Sequence, residues 1–304
     1  MEPSRRAMLR ALGGVAAALA MRRARSQAPA LAARTIPATG EELPVIGLGT
    51  WQVFDVGSDA ARRAPLRQTL EAFARGGGRV VDSSAMYGTS ESVLGDLAAE
   101  LGLHKRLFIA TKVWTSGREE GIRQMELSFS RLRVKRIDLM QVHNLVDVGT
   151  HTRTLAEWKQ KGRVRYLGIT HYVASAYAEV ERLLKTNQYD FLQINYSLAE
   201  PGAAQRLLPL AAERSVAVIA NRPFAEGAMF RRVRGKPVPD WAKDIGIASW
   251  AQYFLKWILG HPAVTCTIPG TGRPEHMLDN LAAGVGSFPD PAMRKRMAAH
   301  FDSL

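Results

Sequence analysis

After residue 34 the chain alternates between short runs rich in β-branched residues and longer segments whose apolar residues recur every three or four positions. The short runs predict eight strands, at residues 45–50, 79–84, 107–113, 137–143, 166–170, 191–196, 216–222 and 264–269. The longer segments predict helices at residues 64–78, 90–102, 117–132, 149–162, 173–187 and, as one longer helical region, 240–260. Strands that alternate with helices form parallel βαβ units. The pattern therefore indicates an α/β fold.

A short hairpin is predicted ahead of the first of these strands. Residues 34–45 read as two extended segments joined by a turn at Thr39, Gly40 and Glu41. Beyond the βα unit itself we find no tandem repeat and no sign of a second domain. A barrel domain over residues 34–304 is the simplest organisation.

Composition agrees with one large globular domain. The chain has 304 residues, 46% of them hydrophobic, and a net charge of +13. Six Arg and one Glu lie in residues 1–30, so the rest keeps 35 basic and 27 acidic residues. These basic residues are spread over predicted helix surfaces without a binding motif, and we expect no nucleic-acid partner. The single Cys266 lies in an apolar strand and is predicted to be a core residue.

Residues 1–33 are predicted to be a signal peptide of the twin-arginine type. Arg5 and Arg6 begin a basic segment that is followed by a weakly apolar run at 11–21 and by a candidate cleavage site at residues 28–30. A run of about eleven residues is too short for a stable membrane span, which needs roughly 20. We therefore expect the twin-arginine export machinery as a partner and a periplasmic or otherwise exported protein. The alternative is a basic tail or amphipathic anchor on a cytoplasmic protein.

Four polar residues fall at the ends of predicted strands. Asp82 and Tyr87 follow the second strand, Lys112 ends the third, and His143 ends the fourth. Because the carboxyl ends of parallel strands form the catalytic face of an α/β barrel, we expect these side chains to share one pocket. Each also has a plainer interpretation: a turn residue, a structural ion pair and a hydrogen-bonded core histidine.

In this order and at these strand ends, the four residues resemble the catalytic tetrad of the aldo-keto reductase family. The resemblance runs from ELPVIGLGTW (residues 42–51) to TIPGTGRPEHMLDNLAA (residues 267–283) and includes the segments GIT, QINYSL and IPGT in order. It implies a single (β/α)8 TIM barrel and NAD(P)H-dependent reduction of aldehydes or ketones to alcohols. No metal site is expected.

The chemistry of carbonyl reduction explains why these residue types belong together. Hydride transfer to a carbonyl needs an acid and hydrogen-bond donors at its oxygen. Tyr87 would donate the proton, and the Lys112 ammonium, held by Asp82, would lower the pKa of the phenol. His143, as the neutral imidazole, would orient the carbonyl.

The resemblance also assigns cofactor contacts, for which we expect NADPH, with NADH possible. The nicotinamide carboxamide is assigned to three residues, Thr170, His171 and Gln193, of which His171 departs from the Asn that the family usually has. Asn221 replaces the family's stacking Tyr, so Arg222 or Phe224 would have to pack on the ring. Backbone groups of a Gly-rich turn at a helix N-terminus favour phosphate. The adenosine-phosphate end is assigned to five residues, Gly270, Thr271, Gly272, Arg273 and Asn280, with Arg273 on the 2′-phosphate and Asn280 at the adenine.

The substrate pocket is predicted to be open and permissive. Trp51 and Trp114 would form its apolar walls, and no long loop is predicted to close it. Varied aldehydes or ketones would suit such a pocket. The alternative function is a catalytically weak cofactor-binding barrel that acts as a regulatory or partner subunit, which the departures at His171 and Asn221 favour.

Overall fold

The computed structural model describes residues 30–304, in which eight parallel strands follow one another around a barrel. The strands are β3 (Leu48–Gly49), β4 (Val80–Asp82), β5 (Phe108–Val113), β6 (Ile137–His143), β7 (Val164–Thr170), β8 (Phe191–Asn195), β9 (Ala217–Asn221) and β10 (Cys266–Thr267). The barrel closes where Gly47 N–H donates to the Thr267 carbonyl at 2.8 Å and Gly49 N–H to the Pro269 carbonyl at 3.2 Å. The predicted (β/α)8 barrel is confirmed.

The predicted N-terminal hairpin is also confirmed. β1 (Ala33–Thr35) pairs antiparallel with β2 (Glu42–Pro44). The turn between them is closed by Gly40 N–H, which donates to the Ile36 carbonyl at 2.8 Å. Gly40 has a positive φ of 75°, a conformation that glycine adopts without strain.

Helices on the outside of the barrel connect successive strands, and the last two helices follow the final strand. They are α1 (Ala60–Arg75), α2 (Ser90–Glu100), α3 (Arg118–Leu132), α4 (Val148–Gln160), α5 (Tyr177–Leu184), α6 (Leu207–Glu213), α7 (Ala228–Arg232), α8 (Trp250–Leu259), α9 (Pro274–Ala282) and α10 (Pro291–Asp302). α1 begins four residues before the predicted start, because the Asp59 carboxylate accepts hydrogen bonds from the N–H groups of Ala61 and Arg62.

The longer helical region predicted over residues 240–260 is helical but consists of two pieces. The segment forms a 3-10 turn, Asp240–Ile245, and then α8. Gly246, with a φ of 70°, ends the first piece in the left-handed conformation. Ser249 begins the second piece by accepting the N–H of Gln252 on its hydroxyl. Two local capping signals thus outweigh a continuous apolar pattern.

Alternation along the strands decides which side chains face the inside of the barrel. One apolar cluster inside the barrel is formed by every second residue of the strands, together with residues of the hairpin. It includes Ile36, Val80, Phe108, Ala110, Leu139, Tyr166, Phe191, Ile219 and Cys266. Cys266 is a free, buried core residue, as predicted. Because side chains alternate with a period of two, Asp82 shares the inner face with Val80, and Lys112 shares it with Phe108 and Ala110. The same parity brings His143 inward with Leu139.

Barrel contacts begin just before the predicted domain boundary. Ala32 N–H donates to the Gly284 carbonyl at 2.9 Å, and Val45 N–H donates to the Ala32 carbonyl at 3.0 Å. Most of the predicted signal peptide, residues 1–29, lies outside the described residues. Within residues 30–304, no helix combines the length and the apolar character that a bilayer crossing requires.

Candidate active site

A cavity of about 660 Å³ opens at the carboxyl ends of the barrel strands. Its wall receives at least one residue from the end of each strand from β3 to β10. The structure brings the predicted residues Asp82, Tyr87, Lys112 and His143 together on this wall. The end of an α/β barrel at which these strands finish is the usual place of its active site.

Lys112 and Asp82 form a buried ion pair in the cavity floor. Lys112 Nζ lies 2.7 Å from Asp82 Oδ2 and also donates to the Ser83 carbonyl at 2.6 Å. Burial alone lowers the pKa of Lys112, but Asp82 and Tyr87 outweigh it and raise the pKa above its ordinary value. Lys112 therefore stays charged although only 1% of it is exposed.

Two side-chain amides complete the surroundings of the Asp82 carboxylate. Gln193 Nε2 lies 3.3 Å from Asp82 Oδ2, and Gln141 Nε2 lies 2.8 Å from Gln193 Oε1 and 3.4 Å from Asp82 Oδ1. Burial raises the pKa of Asp82, and Lys112 and the two amides oppose that rise. Sequence reasoning missed Gln141, although it lies two residues before His143 and so on the same strand face.

Tyr87 stands beside the lysine at the cavity wall. Lys112 Nζ lies 5.0 Å from the centroid of the Tyr87 ring. Burial raises the pKa of the Tyr87 phenol above its ordinary value, and Lys112 opposes the rise without cancelling it. The expectation of a lowered pKa is therefore wrong in its net direction, because desolvation outweighs the ammonium. The phenol consequently holds its proton throughout the neutral range.

His143 is neutral and lies edge-on to Tyr87. The two ring centroids are 5.9 Å apart, with an interplanar angle of 82°. Burial, with smaller contributions from Lys112 and His171, lowers the pKa of His143 to about 2. A neutral imidazole has one N–H donor and one acceptor nitrogen. Nδ1 lies 3.0 Å from the hydroxyl of Ser84, a residue that the sequence did not single out.

Of the three residues predicted to hold the carboxamide, two line the cavity and one does not. Thr170 and Gln193 line the cavity. His171 does not belong to that lining, and its Nδ1 instead accepts the N–H groups of Tyr172 at 3.0 Å and Val173 at 3.3 Å. Asn221 lines the cavity and donates from Nδ2 to the His171 carbonyl, whereas its buried Oδ1 has no partner within residues 30–304.

Arg222 lines the cavity but is already paired with two carboxylates. Its guanidinium contacts Glu200, at 3.2 Å, and Glu226. It also lies 5.9 Å from the Tyr172 ring centroid. Phe224 lines the cavity as well and packs on Phe230, with ring centroids 4.8 Å apart.

The predicted adenosine-phosphate residues continue from the cavity edge. Gly270 lines the cavity, and a Cβ on it would lie 3.2 Å from the Gly49 carbonyl, so a side chain there would crowd the barrel closure. Thr271 Oγ1 accepts the N–H of Arg273, an exposed residue that precedes the first turn of α9. The remaining assigned residues lie outside the cavity lining, namely Thr271, Gly272, Arg273 and Asn280.

The cavity mouth is lined by large apolar side chains that remain partly exposed. Trp51 is 43% exposed and Trp114 is 41% exposed, and both lie on the cavity wall. Three more residues of this kind were missed by sequence reasoning, namely Met86, Tyr172 and Phe230. Met86 and Tyr172 come from separate loops and Phe230 from α7, so no local pattern marks them as neighbours. We call these five residues the apolar rim.

No group of three or more His, Cys, Asp or Glu side chains that could hold a metal ion occurs in the described part of the chain. The arrangement is instead that of acid–base chemistry. A neutral phenol, a buried ammonium and a neutral imidazole meet in one cavity, and they can donate a proton and hydrogen bonds to a bound oxygen.

Comparisons with known proteins agree with this geometry. Residues 45–297 match the sequence profile of the Aldo/keto reductase family. A methylglyoxal reductase of Escherichia coli, YeaE, is 29% identical over 248 residues, which cover 79% of this chain and 85% of that protein. An aldo-keto reductase of a Mycobacterium species is 30% identical, covering 80% of this chain and 84% of that protein. The structure of an aldo-keto reductase from Klebsiella pneumoniae in complex with NADP and acetate has a TM-score of 0.72 at 26% identity, covering 86% and 93% of the two chains.

Proposed function

Because this chain belongs to the aldo/keto reductase family, we propose that it reduces aldehyde or ketone groups to alcohols with NADPH as the hydride donor. It is an oxidoreductase that acts on carbonyl groups. The observation that carries the proposal is the meeting of Tyr87, Lys112, Asp82 and His143 in one cavity, with the Lys112–Asp82 pair at 2.7 Å.

Each of these residues has a distinct part in the proposed reaction. The Tyr87 hydroxyl donates its proton to the carbonyl oxygen as negative charge develops there. The Lys112 ammonium beside the ring stabilises the phenolate that remains, and Asp82 keeps that ammonium in place. His143 donates a hydrogen bond to the same oxygen. Because the site is buried, these charges act in a medium that screens them little.

The residues of the cavity fit a nicotinamide cofactor. When bound, the reduced nicotinamide supplies the hydride. The unpartnered Oδ1 of Asn221 would accept an N–H of the carboxamide, and Thr170 would supply a hydroxyl beside it. Gly270 leaves room for a chain of phosphates along the cavity edge. The related Klebsiella structure contains NADP, and the exposed Arg273 supports NADPH over NADH through its charge.

The apolar rim supports a broad rather than a narrow range of carbonyl substrates. The Escherichia coli relative is named a methylglyoxal reductase. In this chain Trp51, Trp114 and the other residues of the rim offer apolar surface to larger groups, which favours burial of alkyl or aromatic substituents. Aldehydes and ketones with such substituents are therefore included in the proposal.

The test of this function is a titration followed by a rate measurement. Quenching of tryptophan fluorescence on adding NADPH or NADH to the full chain reports binding. NADPH oxidation across a panel of small and large aldehydes and ketones then reports turnover. If NADPH binds but no carbonyl compound causes its oxidation, the chain is not a reductase, and the alternative function, a cofactor-binding regulatory subunit, is favoured instead.

The rate should not depend on pH in the range where a free histidine titrates. An ordinary His has a pKa of 6.5, but the pKa of His143 is lowered to about 2, so the ring is neutral at every pH above that value. The Tyr87 phenol has a raised pKa and stays protonated up to about pH 10. We therefore expect kcat/KM to be flat between about pH 5.5 and 8.5. A change centred near pH 6.5 that disappears in His143→Gln would show that His143 titrates during turnover.

We also propose that residues 1–33 direct export by the twin-arginine machinery. The sequence of Arg5, Arg6 and the apolar run at 11–21 supports this. Replacing Arg5 and Arg6 together by Lys is expected to leave the chain in the cytoplasm, whereas the wild type is recovered in the periplasmic fraction. The matched control replaces Arg22 and Arg23 by Lys and should not impair export. A wild-type chain that stays in the cytoplasm would contradict the proposal.

A further inference from the structure

The loop after β4 places a buried hydroxyl against the ring of His143. Ser84 Oγ lies 3.0 Å from His143 Nδ1, and the two residues are 59 positions apart in the sequence. Ser84 is completely buried, and His143 is 6% exposed. The contact arises because β4 and β6 end at the same face of the barrel.

The other contact of the hydroxyl determines where the proton of this hydrogen bond lies. Met86 N–H donates to Ser84 Oγ at 3.4 Å, and Ser84 Oγ has no third partner within residues 30–304. If Ser84 donates to Nδ1, the hydroxyl hydrogen of Ser84 and the amide hydrogen of Met86 each have an acceptor. If Nδ1 donated instead, the buried hydroxyl hydrogen would lack an acceptor, which is unfavourable. The ring therefore accepts at Nδ1.

A neutral ring that accepts at Nδ1 carries its single proton on Nε2. Nε2 has no protein partner in the described residues and is not sealed from solvent, while His143 lines the cavity. The ring also stands edge-on to Tyr87, with centroids 5.9 Å apart. The Nε2–H donor is thus available on the cavity side, next to the phenol.

We propose that Ser84 is a positioning residue, whose hydroxyl holds His143 in the Nε2–H tautomer so that the imidazole presents a donor to the substrate oxygen beside Tyr87. This inference rests on the proposed carbonyl reduction. The other tautomer would point a lone pair at an oxygen that becomes negative, and the two would repel each other. Without the hydroxyl, nothing in the described surroundings of Nδ1 selects between the tautomers.

The experiment combines nitrogen NMR of histidine with steady-state kinetics on the full chain bound to NADPH. In the wild type, ¹⁵N shifts assigned by comparison with His143→Gln should show an unprotonated Nδ1 and a protonated Nε2. Ser84→Ala should move both signals towards the average of the two tautomers. It should also lower kcat by about tenfold, the equivalent of one hydrogen bond, with the Kd for NADPH unchanged. Ser84→Thr, which keeps the hydroxyl, should restore both readouts.

A matched control separates this role from the general effect of losing a buried hydroxyl. Ser128 is completely buried in α3, where its hydroxyl donates to the Gln124 carbonyl at 3.3 Å. Ser128→Ala should leave the histidine signals and kcat unchanged. The inference is overturned if wild-type Nδ1 carries the proton, or if Ser84→Ala leaves both the shifts and kcat unchanged. If no variant reduces any carbonyl, the proposed function fails, while the ¹⁵N shifts still decide the tautomer.

Discussion

Replacing Tyr87 by Phe is expected to lower kcat/KM for carbonyl reduction by about 100- to 10,000-fold while the Kd for NADPH stays within about twofold. The phenol is the protonated acid that faces the cavity, and burial keeps its pKa above the neutral range. Phe has nearly the same shape, so the ring position over Lys112 is preserved while the proton is lost. The measurement is NADPH oxidation with a panel of aldehydes, paired with the tryptophan fluorescence titration.

The chain offers a matched control for this substitution. Tyr189 is buried, and its hydroxyl lies 3.0 Å from the Thr152 hydroxyl, away from the cavity. Tyr189→Phe removes a buried, hydrogen-bonded phenol and should reduce stability modestly without changing kcat. If the kcat of Tyr87→Phe equals that of Tyr189→Phe, Tyr87 is not the acid that protonates the carbonyl oxygen.

Replacing Lys112 by Met is expected to cost about 3–5 kcal/mol of unfolding free energy and to remove most of the carbonyl reduction. The substitution leaves Asp82, which is 2% exposed, without its cationic partner. Without that partner the pKa of Asp82 rises further. A group whose pKa is higher in the folded than in the unfolded state loses stabilising effect as the pH increases. The stability deficit should therefore be larger at about pH 8 than at about pH 5, by urea unfolding.

Lys256 provides the comparison, because it is equally buried but has no carboxylate partner among residues 30–304. Its Nζ donates to the carbonyls of Val285 at 2.8 Å and Ser287 at 2.9 Å. Lys256→Met should destabilise the protein without the pH-dependent deficit and should leave kcat unchanged. Adding Asp82→Asn to Lys112→Met should recover part of the lost stability but none of the lost turnover. Equal, pH-independent losses in the two lysine variants would show that the ion pair contributes nothing specific.

Much of the barrel could be predicted because its signals are local. A strand places alternate residues on opposite faces, so the spacing of Val80 and Asp82, or of Ala110 and Lys112, already puts the polar residue at the inner end of an apolar row. The eight strands were therefore found in order. The boundary errors also have local causes, since Asp59 and Ser249 cap helices at points that the apolar period does not mark.

Only those residues of the site could be predicted whose type and position at a strand end indicate their role. Gln193, for example, was assigned to the cofactor alone, but in the structure it also holds the Asp82 carboxylate. Arg222 was a candidate for packing on the nicotinamide, whereas it forms ion pairs with Glu200 and Glu226. Asp82 and Gln193 lie on different strands, and Glu200 lies 22 residues before Arg222, so only the Arg222–Glu226 pair, four residues apart, has a spacing that the sequence could have marked.

The sequence by itself determined the order of strands and helices, the inward face of each strand and the presence of an acid, an ammonium and an imidazole at strand ends. Only the tertiary structure decided the net direction of the Tyr87 pKa, the contact between Ser84 and His143 and the place of Met86, Tyr172 and Phe230 in the apolar rim. The reason is that periodicity is a property of neighbouring residues. Desolvation and contacts between residues far apart in the sequence arise only when the barrel closes and buries the inner ends of its strands.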